Sequence, residues 1–377
     1  MLAEDAVADL KTPFQPAKLP SRELEIRRAR IAYCLALYYD KPVDADRLRP
    51  WSMMHGLIAY GQRSQIRVGG QLVNAAEYLC ENGVGNKVRI LSWIDGKLDA
   101  KIGPGVQGHP GQLLAILAQA NVPANHPLTV EGRQLELVDL IEYEMRGCNS
   151  KTELTFRLIA LSHYLEPESV WYNENGEKWS LARLVSEECQ QPIEAGACGG
   201  THRLMALSRA LRQLNDYNIP ITGPWLQAER ITDAYEERAW RYQNPNGSFS
   251  TQFFNGTGRD ADLMRRIYTH GHILEWLAYK LPADRLTESR VLAAVDYLVD
   301  TMLSAPGHEI DVGPRGHALH ALAIYYQRCF GESLDIDHLH IVARSVTAAE
   351  LSIPAATRLP ATPQPNDASR RPLLRRR

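Results

Sequence analysis

Apolar residues recur three and four positions apart along most of the chain, and short polar loops separate the apolar segments. The segment from residue 22 to 39 carries Leu24, Ile31 and Leu35 on one side, which is the pattern of an amphipathic helix. A second helix is expected to begin near Pro50. Because helical segments and loops alternate in this way through most of the sequence, the pattern predicts an all-α protein.

A small residue and a histidine stand at the beginning of several predicted helices. The clearest case is EAGACGGTHRLMAL, which begins at Glu194: its glycines interrupt the preceding structure, and Thr201 is placed to cap the helix that follows. Related stretches begin at four other places: MHGLIAYG at Met54, GHPGQLLAILAQ at Gly108, THGHILEWLAYKL at Thr269 and RGHALHALAIYY at Arg315. This recurrence predicts a repeat protein.

The helix beginnings of this repeat are regularly spaced. Six positions are taken as equivalent: His55, His109, Thr155, His202, Gly271 and His317. Most are roughly 45 to 50 residues apart, which is the length of two helices and two loops. The one longer interval contains an insert-like stretch from residue 242 to 262. Six such pairs predict a closed (α/α)6 toroid whose inner helices point their N-termini at one mouth, and an open helical solenoid is the alternative.

Composition sets the boundaries of this domain. Residues 1–20 hold three prolines and little periodicity, so they are interpreted as an N-terminal arm. Residues 21–352 form the predicted toroid, and residues 353–377 are a disordered tail rich in proline and arginine. Within the domain, VRILSWIDGKLDAKIG predicts a small β-hairpin near residues 88–102, with Asp95-Gly96 as its turn.

Charge and hydropathy exclude several classes of function. The formal net charge of −2 provides no field that would attract nucleic acid. The sequence has no run of about 18 apolar residues, and its first residues lack the features of a signal peptide. We therefore expect a soluble chain without a transmembrane segment, cytoplasmic or exported after loss of a signal. The six cysteines are far apart and without a CxxC motif, which favours free buried thiols.

Two short segments resemble a known repeat. The segment QNPNGSF, from Gln243 to Phe249, resembles the QxxxGxW repeat of the squalene-cyclase and protein-prenyltransferase toroids, with Phe in place of Trp, and Asn173 to Trp179 is a looser copy. The resemblance covers about residues 22 to 350. It implies a terpenoid-cyclase-like toroid in which the Gln and the aromatic residue join outer helices around an apolar cavity. The DxDD and DDxxD motifs of those families are absent, so the resemblance implies the fold and not the reaction.

Sulfur and nitrogen ligands for a metal stand at the predicted mouth. Cys198, His202 and His272 are the candidate ligands, and zinc is the candidate cofactor because it binds thiolate and imidazole groups. Prenyltransferase β chains resemble this arrangement in using an Asp/Cys pair and a later His, and lanthionine-cyclase toroids resemble it in their His-Gly pairs. Neither ligand set is reproduced here. In the alternative interpretation, the histidines cap or cross-link the inner helices.

Other polar and aromatic residues are predicted at the same mouth. The candidates for acid–base chemistry are Glu194, His202, His272 and Asp311. The candidates for ligand binding are Trp51, His55, His109, Arg203, Trp240, His270, Arg315 and His317. Helix N-termini carry partial positive charge, so an anionic group is expected to be favoured there.

Three functions remain open at this point. The first is a terpenoid-cyclase-like or prenyltransferase-like toroid that binds or transforms an apolar or anionic ligand in a central cavity. The second is a carbohydrate-active barrel, a polysaccharide lyase or glycosidase, with a small-molecule or oligomeric substrate. The third is a non-catalytic scaffold or binding protein. The sequence does not decide whether the protein is an enzyme.

Overall fold

The computed structural model describes residues 22–305 and 309–352. Helices dominate these ranges and the strands are short, which confirms the prediction of a mainly helical protein. In this part of the chain, no helix is long and apolar enough to cross a membrane. The predicted arm at residues 1–20 and the predicted tail at residues 353–377 lie outside the described residues.

Six helices contain, or begin just after, the six equivalent positions of the predicted repeat, and we call them the core helices. They are α2 (Pro50–Tyr60), α4 (Gln112–Gln119), α6 (Thr155–Tyr164), α8 (Thr201–Asp216), α10 (Leu263–Lys280) and α12 (Val312–Phe330). The core helices are buried on most sides, and in α4 every residue from Gln112 to Ala118 is buried. This all-round burial explains why their sequences are apolar with few charged positions.

The other helices alternate with the core helices along the chain, and we call them the flanking helices. They are α1 (Arg22–Tyr39), α3 (Ala75–Cys80), α5 (Leu137–Arg146), α7 (Leu181–Cys189), α9 (Pro224–Arg241), α11 (Ser289–Leu303), α13 (Ile336–Ala343) and α14 (Ala348–Ser352). Short 3-10 segments are Gly61–Arg63, Ile193–Ala195, Ala197–Gly200 and Ala283–Thr287. The flanking helices bury one side, as in α5, where the buried residues are Leu137, Leu140, Ile141 and Glu144.

The strands form small sheets between the helices. The first sheet contains β1 (Val43–Asp44), β2 (Gln65–Val68) and β3 (Gln71–Asn74), in which β1 is parallel to β2 and β2 is antiparallel to β3. The other strands form antiparallel hairpins: β4 (Leu91–Ile94) with β5 (Lys97–Ala100), β6 (Pro127–Val130) with β7 (Arg133–Glu136), and β8 (Val170–Tyr172) with β9 (Lys178–Ser180). The predicted hairpin near residues 88–102 is confirmed as β4–β5.

Three of these hairpins have the same place in the repeat. The β2–β3, β6–β7 and β8–β9 hairpins lead directly into the flanking helices α3, α5 and α7. Their turns contain Gly70, Gly132 and Gly176, all with positive φ. At the ends of β3 and β9, the side chains of Asn74 and Ser180 accept hydrogen bonds from the first turn of the following helix. The hairpins were not predicted, because strands of three or four residues are too short to display an alternating pattern.

The two segments that resemble QxxxGxW have different structures. Residues 173–179 belong to the β8–β9 hairpin, where the backbone N–H of Glu174 donates to the carbonyl oxygen of Arg146 at the end of α5. In the second segment, the side-chain amide of Gln243 donates to the carbonyl oxygens of Gly247 at 3.0 Å and Arg290 at 2.9 Å. Phe249 of this segment is buried. Gln243 therefore ties the end of α9 to the beginning of α11, which is the role that the resemblance implies for the glutamine.

The core helices pack on one another in chain order. Helix α2 contacts α4, α4 contacts α6, α6 contacts α8, α8 contacts α10, α10 contacts α12, and α12 also contacts α2. Glycines permit the closest approaches among them. A Cβ on Gly271 would stand 3.0 Å from Ala318, and a Cβ on Gly316 would stand 2.3 Å from the carbonyl oxygen of His55. Helices α10, α12 and α2 are therefore in near contact where their histidines lie.

Buried ion pairs join flanking helices to core helices. The Nε atom of Arg157 on α6 donates to Glu144 on α5 at 2.9 Å, and that of Arg203 on α8 donates to Glu188 on α7 at 2.8 Å. Arg203 also donates to the carbonyl oxygen of Pro192 at 2.6 Å. Removal of either partner would leave the other charge buried and unpaired, so each pair is strongly maintained in the folded protein. The pairs therefore hold α5 in register with α6, and α7 in register with α8. Arg203, predicted to bind a ligand, has this structural role instead.

Candidate metal centre

Rings from five core helices meet in one continuous group. Four of them are imidazoles, which we call the histidine cluster: His55 of α2, His202 of α8, His272 of α10 and His317 of α12. The ring centroids of His272 and His317 are 3.9 Å apart, and those of His202 lie 5.2 Å from His272 and 5.0 Å from His317. His55 lies 5.3 Å from His317, and Phe156 of α6 lies 5.1 Å from His202. Of the four histidines predicted to converge, His202, His270, His272 and His317, the structure brings His202, His272 and His317 together.

The clustered rings hold equivalent positions in the repeat. Each is followed two residues later by a buried leucine: Leu57, Leu158, Leu204, Leu274 and Leu319. The predicted register was one residue early in two repeats, at Thr155 and Gly271, where the equivalent residues are Phe156 and His272. The equivalent position at α4 is Gly111, which is the N-cap residue of that helix. His109, two residues earlier, stacks on Phe156 with their ring centroids 4.9 Å apart.

Cys198 reaches the cluster from the 3-10 segment that precedes α8. Cys198, Gly199 and Gly200 all have positive φ, at 53°, 66° and 87°. This conformation is unfavourable for a cysteine, and it is supported by the two glycines that follow and by Thr201, whose hydroxyl donates to the carbonyl oxygen of Cys198 at 2.9 Å. The prediction that Thr201 caps α8 is wrong, because Gly200 holds the N-cap position.

The candidate ligand atoms lie close together. The sulfur of Cys198 and one ring nitrogen each from His202 and His272 are all within 4.8 Å of one another. Ligand atoms around a tetrahedral zinc ion are roughly 3.5 Å apart, given Zn–N and Zn–S bonds of about 2.0 to 2.3 Å. Small rotations of these side chains would therefore bring all three atoms to bonding distance from one ion.

Hydrogen bonds fix which nitrogen of His272 is available. The Nδ1 atom of His272 donates to the carbonyl oxygen of Tyr268 at 2.7 Å, and a carbonyl can only accept. In the neutral ring, Nε2 then carries the free lone pair. This Nε2 atom is buried and has no hydrogen-bond partner within the described ranges. A buried nitrogen of this kind costs about 1 to 3 kcal/mol unless something binds it, so it is a ready acceptor for a metal ion.

The electrostatics of the cluster favour neutral imidazoles. Burial, followed by the charge of His317, lowers the pKa of His202 to about 3 and the pKa of His272 well below its usual value. Burial and His317 also lower the pKa of His55 to about 3. At neutral pH, His55, His202 and His272 are therefore uncharged, which is the form that binds metals.

The thiol of Cys198, unlike these imidazoles, is not in its metal-binding form at neutral pH. Burial raises the pKa of its thiol to about 11, although a hydrogen bond with the hydroxyl of Tyr268 partly opposes this effect. The thiol is therefore protonated at neutral pH, and a metal ion would have to displace its proton. Tyr268 thus contacts two candidate ligands, Cys198 through its hydroxyl and His272 through its carbonyl.

A buried carboxylate supports the other side of the cluster. Glu275 accepts from Nδ1 of His317 at 2.8 Å and from Nδ1 of His320 at 2.6 Å. Burial raises the pKa of Glu275, but the two histidines outweigh this effect and hold the pKa well below its usual range. Glu275 is therefore ionised, and it orients His317 so that Nε2 is the ring nitrogen left for other contacts.

His270 lies only two residues from His272 but has a different environment. Its Nδ1 atom accepts from the backbone N–H of Phe249 at 3.0 Å, and its Nε2 atom donates to the carbonyl oxygen of Ala294 at 2.9 Å. Both nitrogens are therefore engaged in joining α10 to the loop after α9 and to α11. The predicted ligand-binding residue His270 is not brought to the cluster.

Three other predicted residues also have partners or positions elsewhere. Glu194 pairs with Arg238 of α9 at 2.7 Å. Trp240, on α9, donates to Glu236 at 3.2 Å. Asp311 is exposed at the N-cap position of α12.

The remaining predicted ligand-binding residues border the cluster. Trp51 stacks on His55 with their ring centroids 3.9 Å apart. His109 pairs with Glu153 at 2.9 Å. Arg315 lines a small cavity together with His55. Trp51 and His109 therefore extend the group of rings from the cluster towards α2 and α4.

Some contributors to the site were not predicted. Glu275 and His320 lie within apolar helical runs, at the third position after His272 and His317. A polar residue at a predicted core position is the signal that would have identified them, since such a group needs a partner.

The arrangement combines one thiol, two neutral imidazoles and an adjacent imidazole held by a carboxylate. These are the ligand types of a zinc centre with three protein ligands, and they leave room for a proton-transferring group beside it. No protein-family model, curated protein or solved structure matches this chain. The assignment of function therefore depends on the geometry of the histidine cluster.

Proposed function

We propose that Cys198, His202 and His272 bind a zinc ion and that the protein is a zinc-dependent enzyme. The observation that carries the proposal is the set of three candidate ligand atoms, one each from Cys198, His202 and His272, within 4.8 Å of one another. In addition, the buried Nε2 of His272 has no hydrogen-bond partner among the described residues. Three protein ligands leave an open coordination position, which is typical of catalytic zinc sites.

The unpartnered nitrogen also argues against a purely structural cluster. In a scaffold, buried histidines are expected to satisfy both ring nitrogens, as His270 does with Phe249 and Ala294. His272 satisfies only Nδ1. A buried nitrogen without a partner, in a residue beside a thiol and a second imidazole, is better explained by a ligand.

A bound zinc ion would supply a Lewis acid that polarises a substrate oxygen. The chain would supply proton transfer beside it. His317 stands 3.9 Å from His272, measured between ring centroids, and Glu275 engages its Nδ1 atom. Nε2 of His317 would then be the atom that exchanges a proton with a substrate, because Glu275 engages Nδ1 and fixes the orientation of the ring.

We place this centre in a closed (α/α)6 toroid of the terpenoid-cyclase and prenyltransferase type. Two observations support the closed arrangement over an open solenoid. The order of contacts among the core helices returns from α12 to α2, and rings from five core helices meet at one place. In an open solenoid the first and last core helices would be far apart.

The site favours a small polar or anionic substrate. Aromatic rings occupy the place where the core helices meet, which leaves a long apolar chain less well accommodated. The carbohydrate-active alternative has less support, because glycoside hydrolysis uses a pair of carboxyl groups. Glu275 is a carboxylate in contact with the cluster, and both of its oxygens are engaged by histidines.

Metal content tests the proposal. The purified protein, dialysed against zinc and then against buffer, is expected to retain about one zinc ion per chain. His202→Phe is the sharpest variant, because the chain itself carries Phe156 at the equivalent position of α6. We expect H202F to fold with a similar melting temperature and to weaken zinc binding by at least about 100-fold, as a lost ligand should. His340→Gln, on α13, is the matched control and should bind zinc like the wild type.

The open position can be tested with cobalt in place of zinc. Azide should change the visible spectrum of the cobalt protein, because an open position can accept an anion. Absence of metal binding in the wild type, or equal binding in H202F, would contradict the proposed centre. A cobalt spectrum insensitive to azide would show a closed structural site and end the proposal of catalysis.

A further inference from the structure

A small cavity beside the cluster contains an arginine that has no counter-ion among the described residues. The cavity lies between the end of α1, the second half of α2 and the beginning of α12. Its polar lining includes Tyr38, Lys41, His55, Tyr60, Gln65 and Arg315. No aspartate or glutamate is among the residues that line it. The cavity is therefore a positively charged recess.

Arg315 differs from three of the buried arginines of this protein. Arg27, Arg157 and Arg203 each pair with a buried carboxylate. Arg315 is partly buried, and within residues 22–305 and 309–352 its guanidinium has neither a hydrogen-bond acceptor nor an ion-pair partner. Burial lowers the pKa of Arg315, even though Tyr60 and Tyr38 act in the opposite direction. An unpaired cation in such a place is unfavourable unless an anion binds it.

The neighbouring tyrosines do not satisfy Arg315. The hydroxyl of Tyr38 donates to the carbonyl oxygen of Met302 at 2.9 Å, and that of Tyr60 donates to the carbonyl oxygen of Leu35 at 2.7 Å. Both tyrosine rings therefore line the cavity, while their hydroxyl groups donate to backbone carbonyl oxygens. The ammonium group of Lys41 stands 5.1 Å from the centroid of the Tyr38 ring and adds a second positive charge.

We infer that this cavity binds a small oxyanion through Arg315. The ligand is a carboxylate or phosphate group, because a planar guanidinium donates two parallel hydrogen bonds to such groups. The size of the cavity suits a free anion or the charged end of a larger molecule. The inference goes beyond the zinc centre and does not rest on it. The anion site and the cluster share only His55, which lines the cavity and whose ring centroid lies 5.3 Å from that of His317.

Thermal unfolding with different anions tests the inference. Sodium phosphate and sodium acetate are compared with sodium chloride at equal ionic strength, on zinc-loaded and on chelator-treated protein. We expect one of the two oxyanions to raise the melting temperature of the wild type by about 3 to 5 °C at one hundred times its Kd, with saturation. A response to phosphate identifies a phosphate-bearing ligand, and a response to acetate alone identifies a carboxylate.

Arg315→Met should abolish this response, because it keeps the length of the side chain and removes the charge. Arg230→Met is the control, since Arg230 is exposed on α9 and should leave the response unchanged. Arg315→Lys should weaken the response without abolishing it, and titration calorimetry of the wild type with phosphate and with acetate provides a measurement that needs no variant. The inference is overturned if neither oxyanion binds the wild type, or if R315M responds as the wild type does. If the oxyanion still binds after zinc has been removed, its site is independent of the metal centre.

Discussion

The hydrogen bond made by one ring nitrogen decides what the other nitrogen can do. His55 and His272 each donate Nδ1 to the carbonyl of the residue four positions earlier in the same helix, at 2.7 Å in both cases. His317 donates Nδ1 to Glu275 instead. His270 uses both nitrogens and is excluded from ligand binding. Because successive residues of a helix point in directions about 100° apart, His270 and His272 lie on different sides of α10.

The protonation states of the ligands predict how zinc affinity depends on pH. His202 is neutral above a pKa of about 3, and the thiol of Cys198 is protonated below a pKa of about 11. Between pH 6 and pH 8, zinc binding should therefore release one proton, and it should come from Cys198. The apparent affinity for zinc should rise roughly tenfold per pH unit in this range. A competing chelator of known affinity measures it.

Cys198→Ala provides the matching control for this prediction. Without the thiol, zinc binding should be weaker and nearly independent of pH, because both remaining ligands are already neutral. A wild-type affinity that is flat between pH 6 and pH 8 would show that the thiol is not a ligand. A pH dependence of the zinc affinity that corresponds to the release of two protons would show that a histidine of the site is charged in the free protein.

The candidate metal ligands were easier to predict from the sequence than the residues that hold them in place. Cys198, His202 and His272 were predicted because soft or imidazole ligands beside glycines at helix beginnings are unusual. Glu194 was chosen for its proximity in sequence to Cys198, but it pairs with Arg238 on the surface of α9. The partners of a charged residue come from other helices, so a single sequence cannot distinguish a catalytic carboxylate from a salt-bridge partner.

At the scale of elements, glycines set how closely the core helices approach. Gly316 is the critical case, because it lies on α12 against the backbone of α2. An added Cβ would stand 2.3 Å from the carbonyl oxygen of His55, and a backbone atom cannot rotate away as a side chain can. The contact joins the first core helix to the last one, and it also positions His55 against His317.

Gly316→Ala should therefore push α12 away from α2. We expect a loss of about 3 kcal/mol in the free energy of unfolding, because overpacking at a rigid contact displaces backbone. Urea unfolding measures this loss. Gly108→Ala is the control: the nearest atoms to its added Cβ are 3.6 and 3.8 Å away, so it should change the stability little. Equal stability of G316A and the wild type would show that this contact is not tight.

The sequence predicted the core helices well and the flanking region less well. Core helices are buried on most sides, and α2 begins at Pro50 as expected. The hairpins before α3, α5 and α7 were missed because each strand has only three or four residues. Their turn glycines and the helix caps Asn74 and Ser180 are visible in the sequence, but the same residues also occur in ordinary loops.

At the scale of the whole molecule, the first helix is tied to the last ones. Arg27 of α1 donates two hydrogen bonds to Asp296 of α11, at 2.7 and 2.6 Å, and both side chains are buried. On the surface, Arg22 of α1 pairs with Glu350 of α14 at 2.8 Å. Helix α1 also contacts α12 and α13. Both ends of the described chain therefore stabilise the same part of the fold.

Arg27→Met should weaken the whole fold. It leaves Asp296 buried without its cation, which should lower the free energy of unfolding by about 3 to 5 kcal/mol. A single cooperative transition is expected to remain, since the tie joins parts of one domain. Arg22→Met is the control and should change the stability little, because exposed ion pairs contribute little. Separate transitions for two halves of the chain in calorimetry of either protein would contradict a single unit.

Periodicity could not decide whether the repeat closes into a toroid, which we propose. Spacing predicts the number and length of helix pairs, but a solenoid and a toroid share the same local pattern. The difference lies in contacts between residues at opposite ends of the sequence, such as Gly316 with His55 and Arg27 with Asp296. Neither contact has a signature in a single sequence.

Anomalous diffraction at the zinc absorption edge, from crystals grown with zinc and rinsed in zinc-free buffer, tests the central claim most directly. The proposed centre predicts one strong peak per chain, about 2.3 Å from the sulfur of Cys198 and about 2.0 to 2.1 Å from one ring nitrogen each of His202 and His272. Crystals of H202F, treated in the same way, should lack the peak. A wild-type map with no peak among these three residues, or with its only peaks at surface histidines and carboxylates, would contradict the claim.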